Sequence, residues 1–248
     1  MLLPLLDAGS PSPYPERMRL QLYCCAGLLA AATLPPRDRV PLPPTPVGSS
    51  APDSGAFVIR HAADTVAIER FARTPTVLNG TLELRDAKHT SQSYKAVVAP
   101  DASVALIEVT VQERTEEAVK GRVVHRARVI FKADSAAVDD ISGHGLETRI
   151  FGTERGAVPY LNLSFALLGQ AVLRARAAGS AAGRVPLFNL GGGGLGAGQT
   201  LDASVSPLGA DSLAVAIGTV KFHLRVDPAG RVLGGRILGQ EVVAERMQ

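Results

Sequence analysis

The sequence predicts a mainly β protein: an antiparallel barrel or strongly curved sheet, with one long helix covering or plugging it. Three observations lead there. Apolar and polar residues alternate with period two in segment after segment from residue 55 onward. Turn residues separate those segments, as in hairpins. One stretch, "YLNLSFALLGQAVLRARAAGS" at 160–180, lacks turn signals and carries apolar residues at helical spacing instead.

The segment "GAFVIRHAADTVAIERFART" at 55–74 reads as strand, Ala-Ala-Asp turn, strand. In "TLELRD" at 81–86, Leu82 and Leu84 share one face, with Glu83 and Arg85 on the other. "YKAVVAPDASVALIEVTVQE" at 94–113 is a second hairpin, broken by Pro100-Asp101, where proline suits a turn. Period two puts Tyr94 with Ala96 and Val98 on one face. It also puts Val104, Leu106, Glu108 and Thr110 on one face.

"GRVVHRARVIFKAD" at 121–134 alternates most clearly. Val123, His125, Ala127, Val129 and Phe131 line one face, and Arg122, Arg126, Arg128 and Lys132 the other. "LETRIFG" at 146–152 is a further strand. The predicted helix at 160–180 aligns Leu161, Phe165, Leu168, Val172 and Ala175. Pro159 precedes it, Arg174 and Arg176 fall in its last turn, and Gly179 ends it. Residues 211–246 hold two long strands around Asp227-Pro228-Ala229-Gly230, with Gly218 and Gly234-Gly235 marking bulges or bends.

The N-terminal part differs in kind. Met18-Arg19 followed by the apolar run Leu20 to Leu34, with Ala30-Ala31-Ala32 as a small-residue cleavage site, predicts an export signal cleaved near Ala32. Met18 then competes with Met1 as the start. Residues 1–34 are thus extension and signal, and 35–54 a Pro/Ser-rich linker. A single β-rich domain occupies 55–248. The predicted location is periplasmic or secreted, with no membrane span after cleavage. Both cysteines, Cys24 and Cys25, precede the domain, so it contains neither a disulfide framework nor a thiolate metal site.

The stretch "GGGGLGAGQT" at 191–200 comes close to two phosphate-binding patterns, but Gln199 stands where lysine is needed. The residues after Thr200 alternate and include Pro207, so no helix begins there to hold the anion. This reading leaves a glycine-rich loop, or a lid over a pocket mouth. Aromatic residues make up 4% of the chain, and the net charge of +3 comes from interleaved acids and bases, so nucleic acid is not a predicted partner. No cofactor and no metal are expected. Among His61, His89, His125, His144 and His223, only His125 points to an apolar face.

Export, the opening hairpin "FVIRHAADTVAIERF", the run of antiparallel strands, the long helix and the final hairpin around "DPAGR" resemble bacterial exported β-barrel proteins of unknown function. The layout is more distantly similar to the half-barrel carriers of periplasmic lipoproteins. That resemblance implies a curved sheet around helices, holding an apolar ligand. The leading functional expectation is a non-enzymatic carrier for a lipid or other apolar or amphipathic molecule. Its predicted lining is Tyr94, Val104, Leu106, His125, Val129, Phe131, Phe165 and Leu168. One alternative is a hydrolase- or isomerase-like barrel enzyme using His125 with Glu108 as an inward carboxylate. Another is a structural or assembly subunit, a homo-oligomer or partner of another protein, pairing through edge strands.

Overall fold

The computed structural model of this chain describes residues 52–114, 121–179, 182–190 and 198–247. The predicted signal, nearly all of the linker, and the glycine run 191–197 lie outside the described residues. In chain order the strands are β1 (Asp53–His61), β2 (Asp64–Arg73), β3 (Val77–Leu84), β4 (Ser91–Val98), β5 (Val104–Glu113), β6 (Arg122–Phe131), β7 (Ser135–Ser142), β8 (Gly145–Gly152) and β9 (Val158–Tyr160). Helix α1 (Phe165–Ala177) follows. Then come β10 (Gly183–Asn189), β11 (Thr200–Pro207), β12 (Ser212–Ile217), β13 (Val220–Val226), β14 (Val232–Ile237) and β15 (Val242–Met247).

All fifteen strands form one sheet, in the order β8-β7-β6-β5-β4-β3-β2-β1-β15-β14-β13-β12-β11-β10-β9. Pairing is antiparallel except between β9 and β10. The sheet must curl. Phe131 on β6 and Phe188 on β10 lie eleven places apart in this order. At about 4.8 Å per strand a flat sheet would hold them roughly 50 Å apart, yet their ring centroids are 5.6 Å apart. Closure is incomplete: among the described residues, the end strands β8 and β9 do not pair with each other.

One face of the sheet is buried. Phe57, Ile59, Leu78, Leu82, Ile107, Val129, Leu187 and Leu224 form part of a single apolar cluster that also takes in α1. The helix is buried along most of its length, including Gln170. Phe165 meets Phe57 of β1 and Phe222 of β13. The two arginines of the last turn reach hairpin carbonyls: Arg174 donates to Asp101 O and Arg176 to Pro228 O.

Several sequence expectations need correction. The helix begins at Phe165, capped by Ser164, rather than near residue 160. Val158-Pro159-Tyr160 is instead strand β9 at the sheet's end, a place proline tolerates. Leu163 then turns the chain with φ of +64° before the cap. Residues 211–246 form four strands, not two, because Gly218 (φ +56°) and Gly239 (φ +75°) make tight turns within them. Strand β7, unmarked in our reading, occupies 135–142.

Two bulges change which side chains face inward. Val98 pairs with Val104 but Val97 with Leu106, so Ala105 is an extra residue. A single inserted residue reverses the alternation. Val104, Ile107 and Val109 are buried, whereas Leu106 and Glu108 face outward. A second bulge at Val124 turns Val123 outward while His125 stays on the inner face.

Candidate functional site

Two groups among the polar side chains of the inner face stand out. The first is closed. Glu69 sits between Ala67 and Phe71 on the buried face of β2 and is 0% exposed. Its Oε1 accepts from the Tyr94 hydroxyl (2.7 Å) and from Ser164 Oγ, and its Oε2 accepts from the Ala166 N–H (2.9 Å). Burial pushes the Glu69 carboxyl above its ordinary range, against the opposing pull of these hydrogen bonds. Burial and the neighbouring Glu69 also push the Tyr94 phenol well up. All of Glu69's donors are protein groups, so this cluster fixes the start of α1 and offers nothing to a ligand.

The second group is open. Near one end of the inner face, a cavity of about 600 Å³ is lined by residues from β3 to β7 and by the segments flanking α1 and β10. Val109, Val111, Leu161, Leu163 and Leu190 supply apolar wall, and Gln92, His125, Asn162 and His144 supply polar groups. Gln92, Val111, His125 and Ser142 stand opposite one another on four consecutive strands, which makes them one row across the sheet.

His125 Nε2 lies 3.1 Å from Asp140 Oδ1. The pair is not aligned as a hydrogen bond, and both atoms are buried without a hydrogen-bond partner in the protein. Gln92 Oε1 is buried in the same unpartnered condition. A buried polar atom left without a partner costs about 1–3 kcal/mol, so the polar row beside the cavity is a costly feature of the inner face. Another hollow, of about 500 Å³ by Glu83, Arg85 and Arg114, has no such atom in its lining among the described residues.

Of the eight side chains predicted to line a ligand site, His125 lines this cavity. Val104, Val129, Phe165 and Leu168 lie in the packed core, and Phe131 packs against it. Tyr94 is buried with its hydroxyl held by Glu69. Leu106 is on the outer face. Glu108 is exposed there too, opposite Arg128, so it cannot join His125 in acid–base chemistry. The inward carboxylate near His125 is Asp140.

Both missed residues had a readable signal. Asp140 follows Ala136 and Val138 at period two, and Gln92 precedes Tyr94 and Ala96 at the same spacing. A polar residue at an apolar-face position is the mark of an inner polar site. Among the described residues no group of three or more His, Cys, Asp or Glu side chains is placed to hold a metal.

No protein family matches the chain, and no curated protein matches it. Solved structures similar to it include two of bacterial proteins. One is a DUF1089 family protein from Pseudomonas aeruginosa, with TM-score 0.49 and 13% identity over 69% of this chain and 90% of that one. The other is a β-barrel-like protein of the domain of unknown function DUF1849 from Brucella abortus, with TM-score 0.48 and 10% identity over 79% of this chain and 96% of that one. The likeness is distant and one of fold alone.

Proposed function

We propose that this protein is an exported binding module for a single small amphipathic molecule. The observation that carries the reading is the cavity near the end of the inner face, where the apolar walls adjoin the polar side chains of Gln92, His125 and Asn162. Its volume of about 600 Å³ falls within the range of sites for one drug-sized molecule. In this reading α1 plugs the middle of the curled sheet and leaves the end open. The apolar part of the ligand packs on Val109, Val111, Leu161 and Leu163. Its polar head lies toward the Gln92, His125 and Asn162 side chains, as that of an alcohol, amide or protonated acid would.

The test uses the full chain, isolated after export. Native mass spectrometry and organic extraction look for a co-purified molecule, and N-phenylnaphthylamine fluorescence measures uptake of an apolar probe. The expected result is one probe per chain. Gln92→Leu weakens displacement of the probe by alcohols and acids about 10-fold, the loss of one buried hydrogen bond. Val109→Trp, which fills the cavity, abolishes probe uptake. A chain that takes up no probe and carries no adduct overturns the reading.

A further inference from the structure

We propose that β8 is a self-pairing edge, through which two copies of this chain join antiparallel about a two-fold axis at Thr148. The strand is at the end of the sheet, and most of it is exposed. Leu146 and Ile150 are 67% and 76% exposed, and the adjoining Ile141 of β7 is 49% exposed. Large apolar side chains along an unpaired edge are what native sheets ordinarily avoid.

The backbone of β8 is arranged for pairing. Ser142 and Gly145 flank a two-residue turn, so they form a hydrogen-bonded pair, and such pairs recur at every second residue. Glu147, Arg149 and Phe151 therefore turn their backbone groups to β7. Thr153 N donating to Asp134 O continues the same series. Leu146, Thr148 and Ile150 point their N–H and C=O groups away from β7. The far end is engaged, because Thr200 Oγ1 donates to Gly152 O at 3.2 Å. The free edge thus runs from Leu146 to Ile150, with Thr148 at its centre.

The sequence of that span, Leu-Glu-Thr-Arg-Ile, complements itself when reversed. With Thr148 on the axis, Leu146 meets the partner's Ile150 and Glu147 meets the partner's Arg149, and each pairing occurs twice. Glu147 and Arg149 both lie on the same side of the strand and hydrogen-bond to each other in the single chain. Leu146 and Ile150 lie on the other side, with Ile141 beside them. Any other register breaks either the charge match or the apolar match. That complementarity selects a second copy as the occupant.

Sedimentation of the full chain over a concentration series tests the proposal. The wild type is expected to reach dimer mass by about 100 µM. Glu147→Arg opposes two like-charge pairs and raises the dissociation constant about 10-fold or more. Arg149→Glu does the same. An equimolar mixture of these two variants restores opposite charges at both positions and is expected to sediment as a dimer again. Thr148→Pro removes an outward N–H that β7 does not use, and it gives a folded monomer by circular dichroism. A wild type that stays monomeric overturns the proposal. So does a dimer that Glu147→Arg leaves unchanged, or a variant mixture that stays monomeric.

Discussion

The Tyr94 hydroxyl donates a 2.7 Å hydrogen bond to Glu69 Oε1 across Gly80, the residue between them on the sheet that has no side chain. Tyr94 on β4 stands opposite Gly80 on β3, and Gly80 stands opposite Phe71 on β2, two residues from Glu69. The ring lies over the glycine, and the carboxylate it reaches holds the first turn of α1. Three strands and the helix are thus positioned through one buried acid.

Gly80→Ala is expected to be strongly destabilising. The added Cβ would overlap Cζ and Oη of Tyr94, which would have to move off the glycine. Overpacking costs about 1–3 kcal/mol, and loss of the hydrogen bond to a buried carboxylate adds about 1.5–3 kcal/mol. With Tyr94→Leu already present there is neither ring nor hydroxyl to displace, so Gly80→Ala should then cost about 1 kcal/mol or less. Urea unfolding of the four proteins measures the coupling, and additive effects would show that the ring does not depend on the glycine.

Glu69 should make stability fall as pH rises. Its folded pKa lies above the ordinary 4.5, because burial outweighs its hydrogen bonds. Between the unfolded and the raised folded pKa, the native state binds the extra proton, and each increment in pH costs stability. Below 4.5 both states are protonated and the contribution is complete. The stability of the wild type relative to Glu69→Gln is therefore expected to grow on acidification from neutral pH, and to level off below 4.5. A difference that stays flat across this range in urea titrations would contradict the raised pKa.

At Ser164 the usual preference among helix caps is expected to invert. Its Oγ accepts from Leu167 N and donates to Glu69 Oε1. Ser164→Ala loses both bonds, with a cost of about 1–2 kcal/mol. Aspartate is as good a cap as serine on an isolated helix, but here it would bury a second carboxylate against Glu69. Ser164→Asp should therefore be less stable than Ser164→Ala at neutral pH, and the gap should narrow in acid as one of the two carboxyls protonates. Thermal unfolding at two pH values decides the order.

Much of the sheet was legible because period two survives wherever a strand is half buried. Along β6, His125, Ala127 and Val129 face inward as their alternation with arginine indicates. What the pattern cannot carry is the insertion of one residue. Ala105 lies in an ordinary run of small and apolar residues, yet it moves Glu108 from the inner face to the outer. Gly218 reads as an interruption within a strand and proves to be a turn, because a two-residue hairpin needs no proline or asparagine signal when glycine supplies the positive φ. The candidate site was harder still. His125 was visible on its strand, but its neighbours Gln92 and Asp140 come from strands separated in sequence, and only pairing brings them together.

Asp53 joins the first strand in the chain, β1, to the last, β15, its neighbour in the sheet, and its charge is expected to matter more than its hydrogen bonds. It is 6% exposed. Its Oδ1 accepts from Arg246 Nη2 of β15 at 2.5 Å, and its Oδ2 lies 3.9 Å from Arg73 Nη1. Arg73 in turn donates to Ala166 O, and Arg246 lies 5.1 Å from the centre of the Phe71 ring. Burial lowers the Arg73 pKa, and Asp53 is the largest influence holding it up. Asp53→Asn keeps the shape and one acceptor, but takes the nearest counter-charge from the buried Arg73 and the partly buried Arg246. Removing one member of a buried ion pair costs about 3–5 kcal/mol, more than the median surface pair at under about 1 kcal/mol. Adding Arg246→Met removes one stranded cation and keeps an apolar contact with Phe71, so the double variant should recover stability relative to Asp53→Asn alone. If Asp53→Asn unfolds at the wild-type urea concentration, the two arginines are solvated well enough to do without it, and the strand pair β1–β15 is held by its backbone ladder and apolar face instead.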